Sequence, residues 1–239
     1  MEWGDYMSKG TLKKKKVEII TVCICVVLIA AILAILIVFN KSKDFVYNKH
    51  LDEAVISIDD ENITLKDFSY YIYIVEKQIN DMAVKYNPDD PNDFWNTHFK
   101  NSLDSVFTRD YAKQLAIDLC EYDYIMEYES TVYNLYLTDS DKQSCKSNAH
   151  DTYEDMSEKA HNNTKLTEDD IYNILCRKKL VEKYVTRAAQ KVQEEGFEGD
   201  SSLFNYDGDF YKEKIKIKYD VTENHKLLDK ITMGRVTVN

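Results

Sequence analysis

The stretch AVISIDDENITLKDFSYYIYIVEKQINDMAVKY, Ala54 to Tyr86, decides the fold. Ala54 to Ile58 alternates as a half-buried strand does. Asp59-Asp60-Glu61-Asn62 is made of turn formers. Ile63 follows, and Thr64 is placed to cap a helix that carries Asp67 in its first turn. From Leu65 the apolar residues Phe68, Ile72, Val75, Ile79, Met82 and Tyr86 recur at alternating steps of three and four, the spacing of one helix face. Asn87-Pro88-Asp89-Asp90-Pro91 contains both prolines of the chain and ends that helix.

Working toward the C-terminus, Asn92 or Asp93 heads a second, long helix. Its apolar positions are Trp95, Phe99, Leu103, Val106, Phe107, Leu115 and Leu119, and the pattern runs on through Ile125, Met126 and Val132 to Leu135-Tyr136. Such a length implies a bend or two helices. Thr138 caps a new start. Residues 142–163 are polar and read as a weakly amphipathic helix or a solvated arm. Thr167-Glu168-Asp169-Asp170 is a Thr-x-x-Asp capping box. It leads a stripe of Ile171, Leu175, Val181, Val185 and Val192 that Lys178 interrupts. Gly196 to Asp209 reads as a loop, Lys214 to Tyr219 as a strictly alternating strand, 223–230 as a short helix and Val236 to Val238 as a last strand. Only six Gly and two Pro occur in 239 residues, so a mainly α fold with a few short β-strands is expected.

Upstream, Lys13 to Lys16 precede Ile19 to Phe39, 21 residues without a charge, Pro or Gly. As a helix this run is ~31 Å long, close to the ~30 Å thickness of bilayer hydrocarbon. It has no polar face, as a buried soluble helix would have. It is longer than the core of a cleaved signal, and no small-x-small site follows it. A lipoprotein signal would place a Cys after small residues at its far end, and none is there. The expected organisation is a basic cytoplasmic tail (1–16), a single transmembrane helix (17–39), a stalk (40–53) and an extracytoplasmic helical domain (54–239). Basic residues cluster before the run, which places the N-terminus inside.

The chain carries a net charge of −11. Residues 1–43, with seven Lys and three acids, account for +4, so the rest carries −15. An acidic exterior of this kind argues against nucleic acid and against adhesion to anionic lipid. Cys120, Cys145 and Cys176 lie beyond the apolar run without a CxxC, which leaves room for at most one internal bridge and one spare thiol. Isolated, buried small residues are the favoured reading of all three. The histidines form no HExxH and no i, i+4 pair. His150 and His161 flank Asp151, Glu154, Asp155 and Glu158, which read as a solvated helix face rather than as convergent metal ligands. No GxSxG, P-loop, GxGxxG or EF-hand spacing occurs. No catalytic residue, metal or cofactor is expected.

ISIDDENITLKDFSYYI (56–72) resembles the opening of the SurA/PrsA family of extracytoplasmic folding factors. There a short strand, a polar turn, a cap and an aromatic residue four positions on begin the chaperone module. Asp59-Asp60 stands where the family often has Asn-Gly, a departure that changes only the turn type. The order downstream is also similar: Phe94-Trp95, a long helix, Leu-Thr-x-x-Asp at 137–141, a polar helix and Thr-Glu-Asp-Asp-Ile at 167–171. The resemblance covers residues 52–195. It implies a bacterial envelope protein whose helical module cradles unfolded chains after export. The family often inserts a parvulin isomerase of roughly a hundred residues with a Gly-Gly-x-Leu-Gly-like string. Here only Glu195 to Tyr211 are available and the string is missing, so no peptidyl-prolyl isomerase activity is expected.

The aromatic cluster of Tyr70, Tyr71, Tyr73, Phe94, Trp95 and Phe99 is the candidate client-binding surface, because unfolded chains need adaptable apolar area. Phe68, Ile72, Trp95 and Phe99 also fall on the periodic stripes, and for them core packing is the favoured reading. Tyr70 and Tyr73 fall off the stripe and are expected to be exposed. The function expected is a membrane-anchored extracytoplasmic chaperone-like protein that binds unfolded or exported polypeptides without ATP or isomerase activity. The alternative is a non-enzymatic assembly or sensory ectodomain with one fixed partner in a cell-envelope complex.

Overall fold

A computed structural model describes residues 45–101, 104–194 and 201–238. The expected basic tail (1–16) and transmembrane helix (17–39) lie outside the described residues. No helix among the described residues is long and apolar enough to cross a membrane. From Val46 onward the chain forms one compact unit.

β1 (Ala54–Ile58) is the middle strand of an antiparallel sheet in the order β2-β1-β5, with β2 (Glu61–Thr64) and β5 (Val221–Glu223) at its edges. Asp59 turns the β1–β2 hairpin at φ 50°, a left-handed conformation that Asp tolerates. The register slips between Ala54 and Ile56, and this irregularity lets Val55 and Ile56 both be buried. The expected cap is present: Thr64 Oγ1 accepts from the Asp67 amide at 3.2 Å. It begins α1 (Leu65–Tyr86).

α1 is the central element. It packs against both β1 and β2, and against α3 (Thr108–Val132), α5 (Glu158–Thr164) and α6 (Glu168–Glu194). Being surrounded, it buries Ser69, Tyr70, Tyr71, Tyr73 and Glu76 as well as the stripe from Leu65 to Ile79. The stripe then ends early, because Met82 and Tyr86 face solvent.

Several expected elements differ. The long helix from Asn92 is instead a four-residue turn, α2 (Asn92–Trp95), then a hairpin of β3 (His98–Asn101) and β4 (Asp104–Phe107), and only then α3. Thr97 and Thr108 close the hairpin's base, their hydroxyls 3.0 Å apart. The β-branched and aromatic run Thr97 to Phe99 and Val106 to Phe107 prefers a strand, although its apolar spacing also fits a helix. The polar stretch splits into α4 (Asp139–Asp155) and α5, with Ser157 capping α5 through the Ala160 amide.

Lys214 to Tyr219 is not a strand. Residues 211–215 form a π-helical turn and 216–218 a 3₁₀ turn. The pattern that decided is Tyr211 and Ile215, buried four residues apart, while Ile217 points to solvent. The stalk is also shorter than expected. Tyr47 and Leu51 are buried, and Tyr47 Oη lies 2.9 Å from Ser69 Oγ, so residues 47–53 belong to the folded domain.

The C-terminal segment, expected as a strand, is held by side chains instead. After the short α7 (His225–Leu228), residues 234–238 run beside α1 and α5. The Glu76 carboxylate accepts from the amides of Gly234, Val236 and Thr237 and from the Thr237 hydroxyl. Asn163 Nδ2 donates to the Val236 carbonyl at 2.7 Å and Ser157 Oγ to the Thr237 carbonyl at 2.9 Å, while Lys159 reaches the Val238 carbonyl. Backbone groups that a neighbouring strand would have satisfied are satisfied one by one.

α3 carries buried and half-buried acids, and several of these meet a cation from another segment. Glu121 pairs with Lys216 at 2.6 Å, Asp123 with Lys178 at 3.0 Å, and Glu127 with Arg177 at 2.6 Å. Lys178, the break in the α6 stripe, is there to meet Asp123. Burial raises the Asp123 carboxyl above its ordinary value even though Lys178 opposes the shift. A raised acid favours the fold below its unfolded pKa and loses that contribution as pH climbs through the folded value. Lys178→Met strands this carboxylate. The expected result is a loss of about 3 kcal/mol of unfolding free energy at pH 7 and a smaller loss at pH 5, where Asp123 is more protonated. Urea titrations at the two pH values measure it, and an equal loss at both would contradict the assignment.

Candidate functional site

The surface best suited to bind another molecule is the C-terminal end of α3. The helix stops at Val132, Tyr133 caps it, and Asn134 turns the chain at φ 52°. Val132 and Tyr136 stand out as a crest, 73% and 76% exposed. Two clefts open at this end of α3, one lined by Tyr133 and the other by Val132.

The first cleft, about 130 Å3, is lined by Tyr133, Tyr184, Arg187, Ala188, Lys191, Phe204 and Phe210. Its walls are aromatic pairs. Tyr133 and Tyr184 have ring centroids 5.3 Å apart, and Phe204 and Phe210 4.7 Å apart. Lys191 Nζ sits 5.9 Å from the centre of the Tyr133 ring. In so acidic a domain, two cations beside aromatic faces give this cleft a local positive character.

The second cleft is more open, about 630 Å3, and is lined by Asp59, Asp60, Glu61, Tyr128, Thr131, Val132 and Tyr219. Tyr128 and Tyr219 stack with centroids 6.2 Å apart. The Tyr128 hydroxyl donates to Glu61, which together with burial raises its pKa to about 12. This cleft is negative. The end of α3 therefore borders a basic aromatic cleft and an acidic one.

One buried carboxylate braces both clefts. Glu129 Oε2 accepts from the Tyr184 hydroxyl of the first cleft at 3.4 Å. Its Oε1 accepts from Lys218 at 2.8 Å and from the Tyr219 hydroxyl of the second cleft at 3.1 Å. Burial, then Glu129, raises Tyr219 to about 12, so both tyrosines stay neutral donors at physiological pH.

The sequence-derived client surface is placed differently. Tyr70, Tyr71, Tyr73 and Trp95 are buried, and Phe94 is half-buried against Tyr86. The expected exposure of Tyr70 and Tyr73 is corrected: α1 is covered on nearly all sides, so positions off the stripe are core too. Tyr73 donates to Asp155 at 2.9 Å on the facing α4. As placed, these four rings offer no surface to a client. The side chain of Phe99 lies outside the described residues, and its backbone is in β3 rather than a helix. None of the six lines either cleft described above.

His150 Nδ1 lies 3.3 Å from Glu168, and His161 packs on the Tyr153 ring. Among the described residues no group of three or more His, Cys, Asp or Glu could hold a metal ion. The first cleft had one sequence signal, Tyr184, Arg187 and Lys191 at helical spacing on the last turns of α6. Its other walls come from distant segments and carried none.

No protein-family model matches the chain, no curated protein matches it, and no solved structure matches it.

Proposed function

We propose that this chain is a SurA/PrsA-like, membrane-anchored extracytoplasmic protein that binds polypeptide segments without isomerase activity. The observation that carries the reading is the α3 crest. Exposed Val132 and Tyr136 stand at the end of α3, whose Tyr133 and Val132 line two aromatic clefts of opposite charge, so an extended segment bound there meets apolar area and a partner for either sign of side chain. The anchor supplies effective concentration at the membrane.

The test uses residues 46–239, the compact unit, in molar excess over a denatured protein prone to aggregate. Suppression of light scattering is expected. Val132→Asp combined with Tyr136→Asp should weaken it severalfold with unfolding free energy changed by no more than about 0.5 kcal/mol. A folded domain that suppresses nothing removes the proposal.

The fixed arrangement of charge at this end of α3 also favours a second reading, one complementary partner in an envelope complex. Pull-down from membranes separates the two: a single stoichiometric partner supports the second reading, a broad set of clients the first.

A further inference from the structure

Packing chooses among the three thiols. Cys145 is on α4 and Cys176 on α6, helices that lie side by side. Cys145 Sγ is 3.6 Å from the carbonyl oxygen of Leu175, the residue before Cys176. Cys145 therefore faces the turn of α6 that carries Cys176. Cys120 is fully buried on α3. α4 also has an unusual need. Its buried residues are only Cys145 and Ala149, one turn apart, so very little apolar area holds this 17-residue helix in place.

We propose that Cys145 and Cys176 are a site of oxidative modification, forming an intramolecular disulfide that staples α4 to α6. Rotation of the two side chains can bring the sulfurs of these facing turns to the ~2.05 Å bond. Half-buried Cys176 is the accessible attacker. Its thiolate attacks an incoming small-molecule or protein disulfide and releases one thiolate. The Cys145 sulfur then attacks the Cys176 sulfur of the mixed disulfide and releases the second. The two protein thiols are oxidised, the incoming disulfide is reduced to two thiols, and the two protons lost by the cysteines end on those leaving groups. Burial raises the Cys145 thiol pKa, which makes the second step the slower one.

The full chain in detergent micelles, incubated with oxidised glutathione, alkylated and digested, tests this. A linked peptide pair containing Cys145 and Cys176 is expected, about 2 Da lighter than the sum of the two. Cys120→Ser should give the same pair. Cys145→Ser should instead accumulate glutathione on Cys176. The bridge closes a loop of roughly thirty residues, so Tm should rise by about 5–10 °C, reversibly with dithiothreitol. A persistent adduct on Cys176 in the unsubstituted chain, or a bridge that includes Cys120, overturns the assignment. A bridge that leaves Tm unchanged overturns the staple.

Discussion

Glu76→Ala should lower the unfolding free energy by about 3–5 kcal/mol, the largest effect expected of a single substitution in the domain. The side chain is fully buried in the middle of α1, and its two oxygens accept four hydrogen bonds. Three of the donors are backbone amides, those of Gly234, Val236 and Thr237, in a segment that is not a strand. Hydrogen bonds to a charged group are worth ~1.5–3 kcal/mol each, but they are not additive here, because residues 234–238 can lift away and rehydrate. That escape sets the limit at a few kcal/mol. Glu76→Gln keeps one acceptor oxygen and turns an amide toward the remaining donors, so it should fall between. Urea denaturation measures both. Protease digestion should also clip the C-terminal segment of the alanine variant first. A loss below ~1 kcal/mol would mean that the segment is not held through Glu76.

Gly234→Ala should cost about 2–4 kcal/mol, by a different route. Gly234 has φ 83°, a conformation that costs an L-residue ~1–2 kcal/mol. A methyl group there would also sit 2.5 Å from Trp95 Cδ2 and 2.7 Å from Cε2. The ring is buried, so it cannot swing aside cheaply, and overpacking of this kind adds ~1–3 kcal/mol. Trp95→Ala removes the obstacle. In the double variant the second cost should largely disappear, and the cycle should show a favourable coupling of ~1 kcal/mol or more. Simple additivity would show that the ring and the glycine do not touch. Trp95 is the single tryptophan after residue 3, so its fluorescence reports on the same contact.

Local chemistry was legible in the sequence, and long-range packing was not. The β1 strand, the Thr64, Thr138 and Thr167 caps and the proline break after Tyr86 are set by residues within a turn of one another, and each stands where it was expected, whereas Glu61 and Asn62, read as turn, belong to β2. The hairpin at 98–107 was missed because its apolar residues fit both periods. Lys214 to Tyr219 was misread because a period of two was inferred where the buried pair is Tyr211 and Ile215. The burial of Tyr70 and Tyr73 depends on what covers the far side of α1, and periodicity does not show a second cover. The clefts beside the α3 crest were hidden for the same reason. Phe204, Tyr133 and Lys191 meet only in three dimensions.

The sheet has a consequence in time. β1 exchanges hydrogen bonds with β5, and Asn224 donates to the Ala54 carbonyl at 2.9 Å across 170 positions of chain. In a chain synthesised N-terminus first, the middle strand waits for nearly the whole domain before its second edge arrives. The Glu76 carboxylate waits longer still, since its donors lie at residues 234–237. High contact order slows folding. The domain therefore completes itself only after its last residues have emerged, and until then it is an unfinished chain of the kind it is proposed to bind.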